Sequence, residues 1–150
     1  MPEQRWQHCN IKTNNLLPNI LTSQRAKDEG ADEGIFVTEE GVVTEGTSSN
    51  VFIVKDNKVL THPEDGEILP GITRELVLEL ATDDFNVQEK KFSVKELYQA
   101  DEVFITSTPK EVLGVIKVDD KQIAAGKIGP VTKEIHKLYQ NHIEDFKTRA

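Results

Sequence analysis

Two hydrophobic rhythms run along the chain, one near a helical period and one alternating. Leu16, Leu17, Ile20 and Leu21 form an apolar stripe at helical spacing within residues 14–29. Asn14 or Asn15 can cap that helix and Gly30 can end it; Pro18 is tolerable because it falls near the first turn. Strand signals follow at Gly34–Thr38 and Val42–Thr44, separated by a turn at Glu39-Glu40-Gly41. Asn50–Val54 and Lys58–Thr61 read as a hairpin around Asp56-Asn57, residues suited to a tight turn. A second helix is predicted over Ile72–Ala81, with Ile72, Leu76 and Leu80 on one face. A short helix begins at Ser93, where Ser93 and Glu96 have the spacing of a capping box. Glu102–Thr106 and Val112–Val118 are predicted strands. Pro130 opens a last helix whose Val131, Ile135, Leu138 and Phe146 face the core. Hairpins outnumber crossovers among these elements, so the fold class is α+β.

Composition narrows the function classes. At 150 residues, 37% hydrophobic and 29% charged, the chain has the length and make-up of one folded domain over residues 1–150, with no repeat or low-complexity linker. The net charge is -8 and no basic run appears, which argues against a nucleic-acid partner, since that partner calls for a cationic face. The acidic pairs Glu39-Glu40, Asp83-Asp84 and Asp119-Asp120 read as solvated turns. Cys9 is the only cysteine; it allows no internal disulfide and fits a reducing, cytoplasmic setting. No apolar run approaches the roughly 18 residues of a membrane span. Met1-Pro2-Glu3-Gln4-Arg5-Trp6 has no signal-peptide core. A membrane or export destination is therefore not expected.

Four segments have compositions ill suited to simple packing. In Cys9-Asn10-Ile11-Lys12-Thr13-Asn14-Asn15, Lys12 sits among short polar residues at the end of an extended stretch. It reads either as a solvated lysine or as a lysine held in a cleft, where its amine is freed for imine chemistry. Thr44-Glu45-Gly46-Thr47-Ser48-Ser49-Asn50 places one acid among hydroxyls and glycine before a strand; a plain loop and a polar nest for a ligand share that composition. Leu69-Pro70-Gly71-Ile72-Thr73-Arg74 precedes a helix, and either caps it in the ordinary way or seats a phosphate on its free N–H groups. Thr106-Ser107-Thr108 ends a strand with three hydroxyls, which can serve a phosphate or simply be polar. His8 beside Cys9 lacks the paired ligands of a zinc site, His136 and His142 do not share a helix face, and Gly126-Lys127-Ile128-Gly129 is not a P-loop. No Gly-x-Ser-x-Gly elbow is present.

In this order the four segments resemble the C-terminal half of the fold-type-IV pyridoxal-phosphate enzymes. That group includes D-amino-acid transaminases, branched-chain aminotransferases and aminodeoxychorismate lyases. The resemblance runs from about Trp6 to the last helix, and it rests on Val43–Phe52 joined to Leu69–Arg74 and Asp101–Thr108. The Ser48-Ser49-Asn50 version, with Leu60-Thr61-His62-Pro63 ahead of Ile68-Leu69, is most similar to the D-alanine branch. The resemblance implies a cofactor-binding domain with mixed strands in a barrel-like sheet and flanking helices. It implies pyridoxal 5'-phosphate as cofactor, an amino acid and a 2-oxo acid as substrates, and a homodimer.

Position by position, Lys12 resembles the catalytic lysine that bonds the cofactor and then moves a proton at the substrate α-carbon. Glu45 resembles the acid facing the pyridine nitrogen, and Leu69 the apolar residue packed on the ring. Gly71, Ile72 and Thr73 match the phosphate-binding helix start, Ser107 and Thr108 the later hydroxyl loop. Ser48, Ser49 and Asn50 resemble residues lying near the ring. The family also carries an N-terminal domain of comparable size, with a phosphate-binding arginine, a tyrosine and much of the substrate-carboxylate pocket. The present sequence is expected to lack a counterpart, so poor turnover by this chain alone is expected.

Overall fold

A computed structural model describes Met1, Arg5 and residues 8–149. Pro2-Glu3-Gln4 and Trp6, on which the leader expectation and the start of the resemblance fall, lie outside the described residues. Helix α1 (Leu17–Asp28) comes first, then strands β1 (Ile35–Val37), β2 (Val43–Gly46), β3 (Asn50–Lys55) and β4 (Lys58–Thr61). Helix α2 (Ile72–Ala81), β5 (Asn86–Glu89), the short α3 (Val94–Tyr98), β6 (Glu102–Ser107) and β7 (Glu111–Val115) follow. The ribbon β8 (Lys117–Val118) and β9 (Lys121–Gln122) precedes the last helix, α4 (Pro130–Arg149).

β3 organises the sheet. It pairs antiparallel with β4 along one edge and with β6 along the other. β7 extends the sheet from β6, and β5 joins β4 in parallel through the α2 crossover. β2 meets the start of β3, Glu45 opposite Asn50, and β1 pairs with β2. The result is a mixed, open seven-stranded sheet rather than a closed barrel. The expected strand Val112–Val118 breaks at Ile116, because β8 leaves the sheet to pair with β9 around Asp119-Asp120. That departure ends the sheet at β7. Asp56 and Asn57 both have positive φ, 49° and 59°, the conformation of the tight hairpin turn between β3 and β4.

Alternation along β3 and β6 sends apolar side chains to both faces. Val51, Ile53, Val103 and Ile105 pack on one side with Val43, Phe92 and Leu97. Phe52, Val54 and Phe104 pack on the other, against Val77 and Ala81 of α2 and Ile135 and Tyr139 of α4. The capping box of α3 forms as expected, Glu96 N–H donating to Ser93 Oγ at 3.2 Å. α4 is capped from the sheet instead: buried Glu102 accepts from Val131 N–H at 3.0 Å and Thr132 N–H at 2.7 Å.

Three expected helix faces change. α1 begins at Leu17 with Leu16 at its cap and no side-chain cap bond, so neither Asn14 nor Asn15 serves. It buries Thr22 and Ala26, while Leu16, Leu17, Ile20 and Leu21 are 47–62% exposed. On α2 the buried residues are Thr73, Arg74, Val77 and Ala81; Ile72 is 71% exposed. Arg74 is buried because its guanidinium is held by Glu64, Glu89 and the His62 carbonyl. On α4 Ile135 is buried and Val131 packs beside it, but Phe146 lies past the sheet and is 69% exposed.

Candidate active site

The ends of β2, β3 and β6, the loop before α1 and the start of α2 surround one cavity of about 990 Å³. Every site residue named from the sequence lines it: Lys12, Glu45, Ser48, Ser49, Asn50, Leu69, Gly71, Ile72, Thr73, Ser107 and Thr108. They do so because register forces it. Asn50 lies opposite Glu45 on one side and opposite Thr106 on the other, so the acidic turn and the hydroxyl loop end at the same edge.

Glu45 is the most constrained of them. It is 7% exposed. Its Oε2 accepts from Leu69 N–H at 2.9 Å and from Asn50 Nδ2 at 3.3 Å. Its Oε1 accepts from Arg5 Nη1. Arg5 also donates to Thr44 Oγ1 at 3.1 Å and to Glu67 O at 3.0 Å, and its guanidinium lies 4.6 Å from the Phe36 ring centroid. Asn50 Nδ2 further donates to Leu69 O at 2.8 Å. A Cβ at Gly71 would lie 2.3 Å from Asn50 Oδ1, so only glycine lets α2 start this close to β3.

Other groups are less committed. Ser49 Oγ, Thr106 Oγ1 and Ser107 Oγ are buried and have no hydrogen-bond partner among the described residues, a costly arrangement unless a ligand completes it. α2 opens on Gly71 with no side-chain cap. Lys12 lines the cavity but is exposed, as are Ser48, Ile72 and Thr108. Of the two readings the sequence leaves open for Lys12, solvated or held in a cleft, the described residues leave it exposed on the cavity, after a turn in which Ile11 N–H donates to His8 O at 3.1 Å. These donors fit pyridoxal 5'-phosphate: hydroxyls and helix N–H groups suit its phosphate, a buried acid suits its ring nitrogen, and a lysine on the same cavity suits its aldehyde.

Sequence reasoning missed several supports of this wall. Arg5 and Asn19 line the cavity themselves: Arg5 holds Glu45, and Asn19 Nδ2 ties α1 to Thr47 O at 3.0 Å. Glu33 accepts from Thr47 Oγ1 at 2.6 Å, from Ser48 N–H at 2.8 Å and from Lys110 Nζ. Its partners lie 14, 15 and 77 residues away, so no local spacing could have marked it.

The chain matches the family model for amino-transferase class IV over residues 1–118. It is 46% identical over 142 residues to a D-alanine aminotransferase of Bacillus licheniformis, covering 94% of this chain and 50% of that one. It is 43% identical over 141 residues to the Staphylococcus haemolyticus D-alanine aminotransferase, covering 93% and 50%. Among solved structures, the branched-chain amino acid aminotransferase of Thermobaculum terrenum in PLP form superposes with a TM-score of 0.85 at 32% identity, covering 91% of this chain and 45% of that one. The Escherichia coli branched-chain enzyme gives 0.80 at 35%, covering 91% and 49%. The chain thus spans about half the length of the curated relatives it matches, and with both its sequence and its fold in agreement it belongs to the class IV amino-transferase family.

Proposed function

We propose that this chain is the cofactor-binding part of an aminotransferase that exchanges an amino group between a D-amino acid, D-alanine foremost, and a 2-oxo acid such as 2-oxoglutarate. The observation that carries this reading is the convergence of Lys12, buried Glu45 and three unpartnered hydroxyls on one cavity. Pyridoxal 5'-phosphate, when bound, supplies the electron-accepting ring for the bond changes at the substrate α-carbon. Lys12 holds the cofactor through its amine and, once released, carries the proton to and from that carbon. Glu45 would set its carboxylate against the ring nitrogen, with Arg5, Asn50 and the Leu69 N–H keeping it in place. Ser107, Thr108, Thr73 and the Ile72 N–H receive the phosphate, with Gly71 allowing the approach. Leu69 supplies an apolar contact, and Ser48 and Ser49 edge the ring.

Residues 1–150 act as one domain in this reading, since both apolar layers share a single sheet. The protein works as a cytoplasmic homodimer. The exposed apolar stripe of α1 favours association, and the lone Cys9 suits a reducing compartment. Small amino and 2-oxo acids are its partners, with neither nucleic acid nor membrane; no helix among the described residues is long and apolar enough to cross a membrane. The chain alone turns over poorly, because Lys12 lies open to water and electrostatic catalysis weakens there.

The D-alanine preference rests on the names of the relatives at 39–46% identity; the branched-chain alternative rests on the similar solved structures. The test is a stoichiometric, single-turnover assay on the cofactor-loaded chain. Pyruvate formed from D-alanine should exceed 4-methyl-2-oxopentanoate formed from L-leucine. The reverse order rejects D-alanine in favour of the branched-chain reading.

A further inference from the structure

Glu33 lies outside the cavity wall, in the segment between α1 and β1, yet its side chain is only 9% exposed. It joins two separate parts of that wall. On one side its Oε1 accepts from Thr47 Oγ1 and Ser48 N–H, in the turn between β2 and β3. On the other, its Oε2 accepts from Lys110 Nζ, in the loop between β6 and β7. Thr47, Ser48 and Ser49 line the cavity from the first loop, and Thr106 and Ser107 at the end of β6 with Thr108 and Pro109 line it from the second, whereas neither Glu33 nor Lys110 lines it.

A surface ion pair of this kind contributes little, and Lys110 alone, at 26% exposure, would fit that description. Glu33 does not. Burial pushes its carboxyl up, but the bonds from Lys110, Thr47 and Ser48 outweigh burial and hold it below the usual carboxylate range. The space around it is equally committed: a Cβ at Gly46 would lie 2.2 Å from Ser49 Oγ and 3.0 Å from Glu33 Oε1. Of the buried hydroxyls without a partner among the described residues, Ser49 lies in the first turn, and Thr106 and Ser107 end β6, the strand that runs into the second loop.

We infer that Glu33, with Lys110 as its counter-ion, is a positioning residue that clips the Ser107–Lys110 segment to the Thr47–Ser49 turn, so that Ser107 and Thr108 are held where they receive the phosphate. This deepens the proposed function and rests on it. Glu33 touches neither cofactor nor substrate; it acts through the hydroxyls it aligns.

The test compares binding of pyridoxal 5'-phosphate with binding of pyridoxal, which lacks the phosphate, by absorbance titration of the wild-type chain and of Lys110→Met, Lys110→Arg and Glu33→Gln. Thermal unfolding of each ligand-free variant runs alongside. Lys110→Met should weaken the phosphorylated ligand about tenfold, equivalent to about 1.4 kcal/mol, and leave pyridoxal within about twofold; Lys110→Arg should restore most of the loss, because it keeps the cation. Glu33→Gln should lose at least as much. If it fails to fold, Lys110→Met still decides. Equal loss for both ligands, or unchanged affinity for the phosphorylated one, overturns the clip. Wild type that binds neither ligand, or both alike, overturns the proposed function and the clip with it.

Discussion

The middle of the sheet and the rim of the cavity are made from the same two strands, yet they follow opposite rules. In the middle, Phe52 of β3 stacks on Phe104 of β6 with ring centroids 4.7 Å apart and an interplanar angle of 9°. Val51, Ile53, Val103 and Ile105 are at most 2% exposed on the opposite face. Two residues further along the register, Asn50 faces Thr106 and the character changes. Here the chain is still buried, but it is polar, and Ser49, Thr106 and Ser107 hold hydroxyls without a partner among the described residues. Burying apolar area stabilises a fold by roughly 25 cal/mol per Å²; burying an unpaired polar group costs roughly 1–3 kcal/mol. The middle is therefore where the fold draws its stability, and the rim is where stability is given up for a ligand.

Breaking the middle should have the largest effect. Phe52→Ala removes a fully buried ring, and large-to-small aromatic changes of that kind cost about 3–5 kcal/mol. Denaturant unfolding should show that loss; a cost below about 1 kcal/mol would mean the stacked pair is no foundation. Asn50→Leu sharpens the contrast from the rim. It removes the bonds to Leu69 O and Glu45 Oε2, with an expected stability loss of about 1–3 kcal/mol. Cofactor binding should fall out of proportion to that loss. A proportionate fall would make Asn50 an ordinary structural residue.

Acid provides a third comparison. Glu33 titrates below its ordinary value in the folded chain. The folded state thus favours its ionised form, and the stabilisation is present above the unfolded value, near 4.5, and lost as pH falls through the lower folded value. Melting temperature should drop across that acid window in wild type. Glu33→Gln should flatten part of the drop, and parallel curves would assign the acid limb to other carboxylates. The smallest effect belongs to α1. Leu17→Ser with Ile20→Ser replaces side chains that are 61% and 62% exposed, so stability should change by no more than about 0.5 kcal/mol. Self-association measured by light scattering should decrease; an unchanged association state would mean that this stripe does not mediate contact.

Legibility follows the same divide. Lys58–Thr61, the Ser93–Glu96 box and the Asp56-Asn57 turn are local in cause, and the chain adopts them as read. The α1 stripe misled because periodicity reports that a helix has an apolar side, not that this chain covers it. On α2 the same spacing rule chose Ile72 over Thr73, since bulk says nothing about how closely a helix must approach a sheet. β5 was not anticipated; its outer positions Asn86 and Glu89 are exposed and its alternation is weak. Lys12 and the wall residues within Glu45–Asn50, Leu69–Thr73 and Ser107–Thr108 are readable through the resemblance, because each lies in a compact motif. Arg5, Glu33 and Lys110 were not, because their partners are far off in sequence.

Lys12 is the proposed attachment point of the cofactor. The most direct measurement incubates the chain with pyridoxal 5'-phosphate, reduces it with borohydride and maps the modified peptide, with Lys12→Ala as control. The predicted result is modification at Lys12, absent in the control. Labelling at other lysines with Lys12 untouched, or no labelling at saturating cofactor, would contradict the claim.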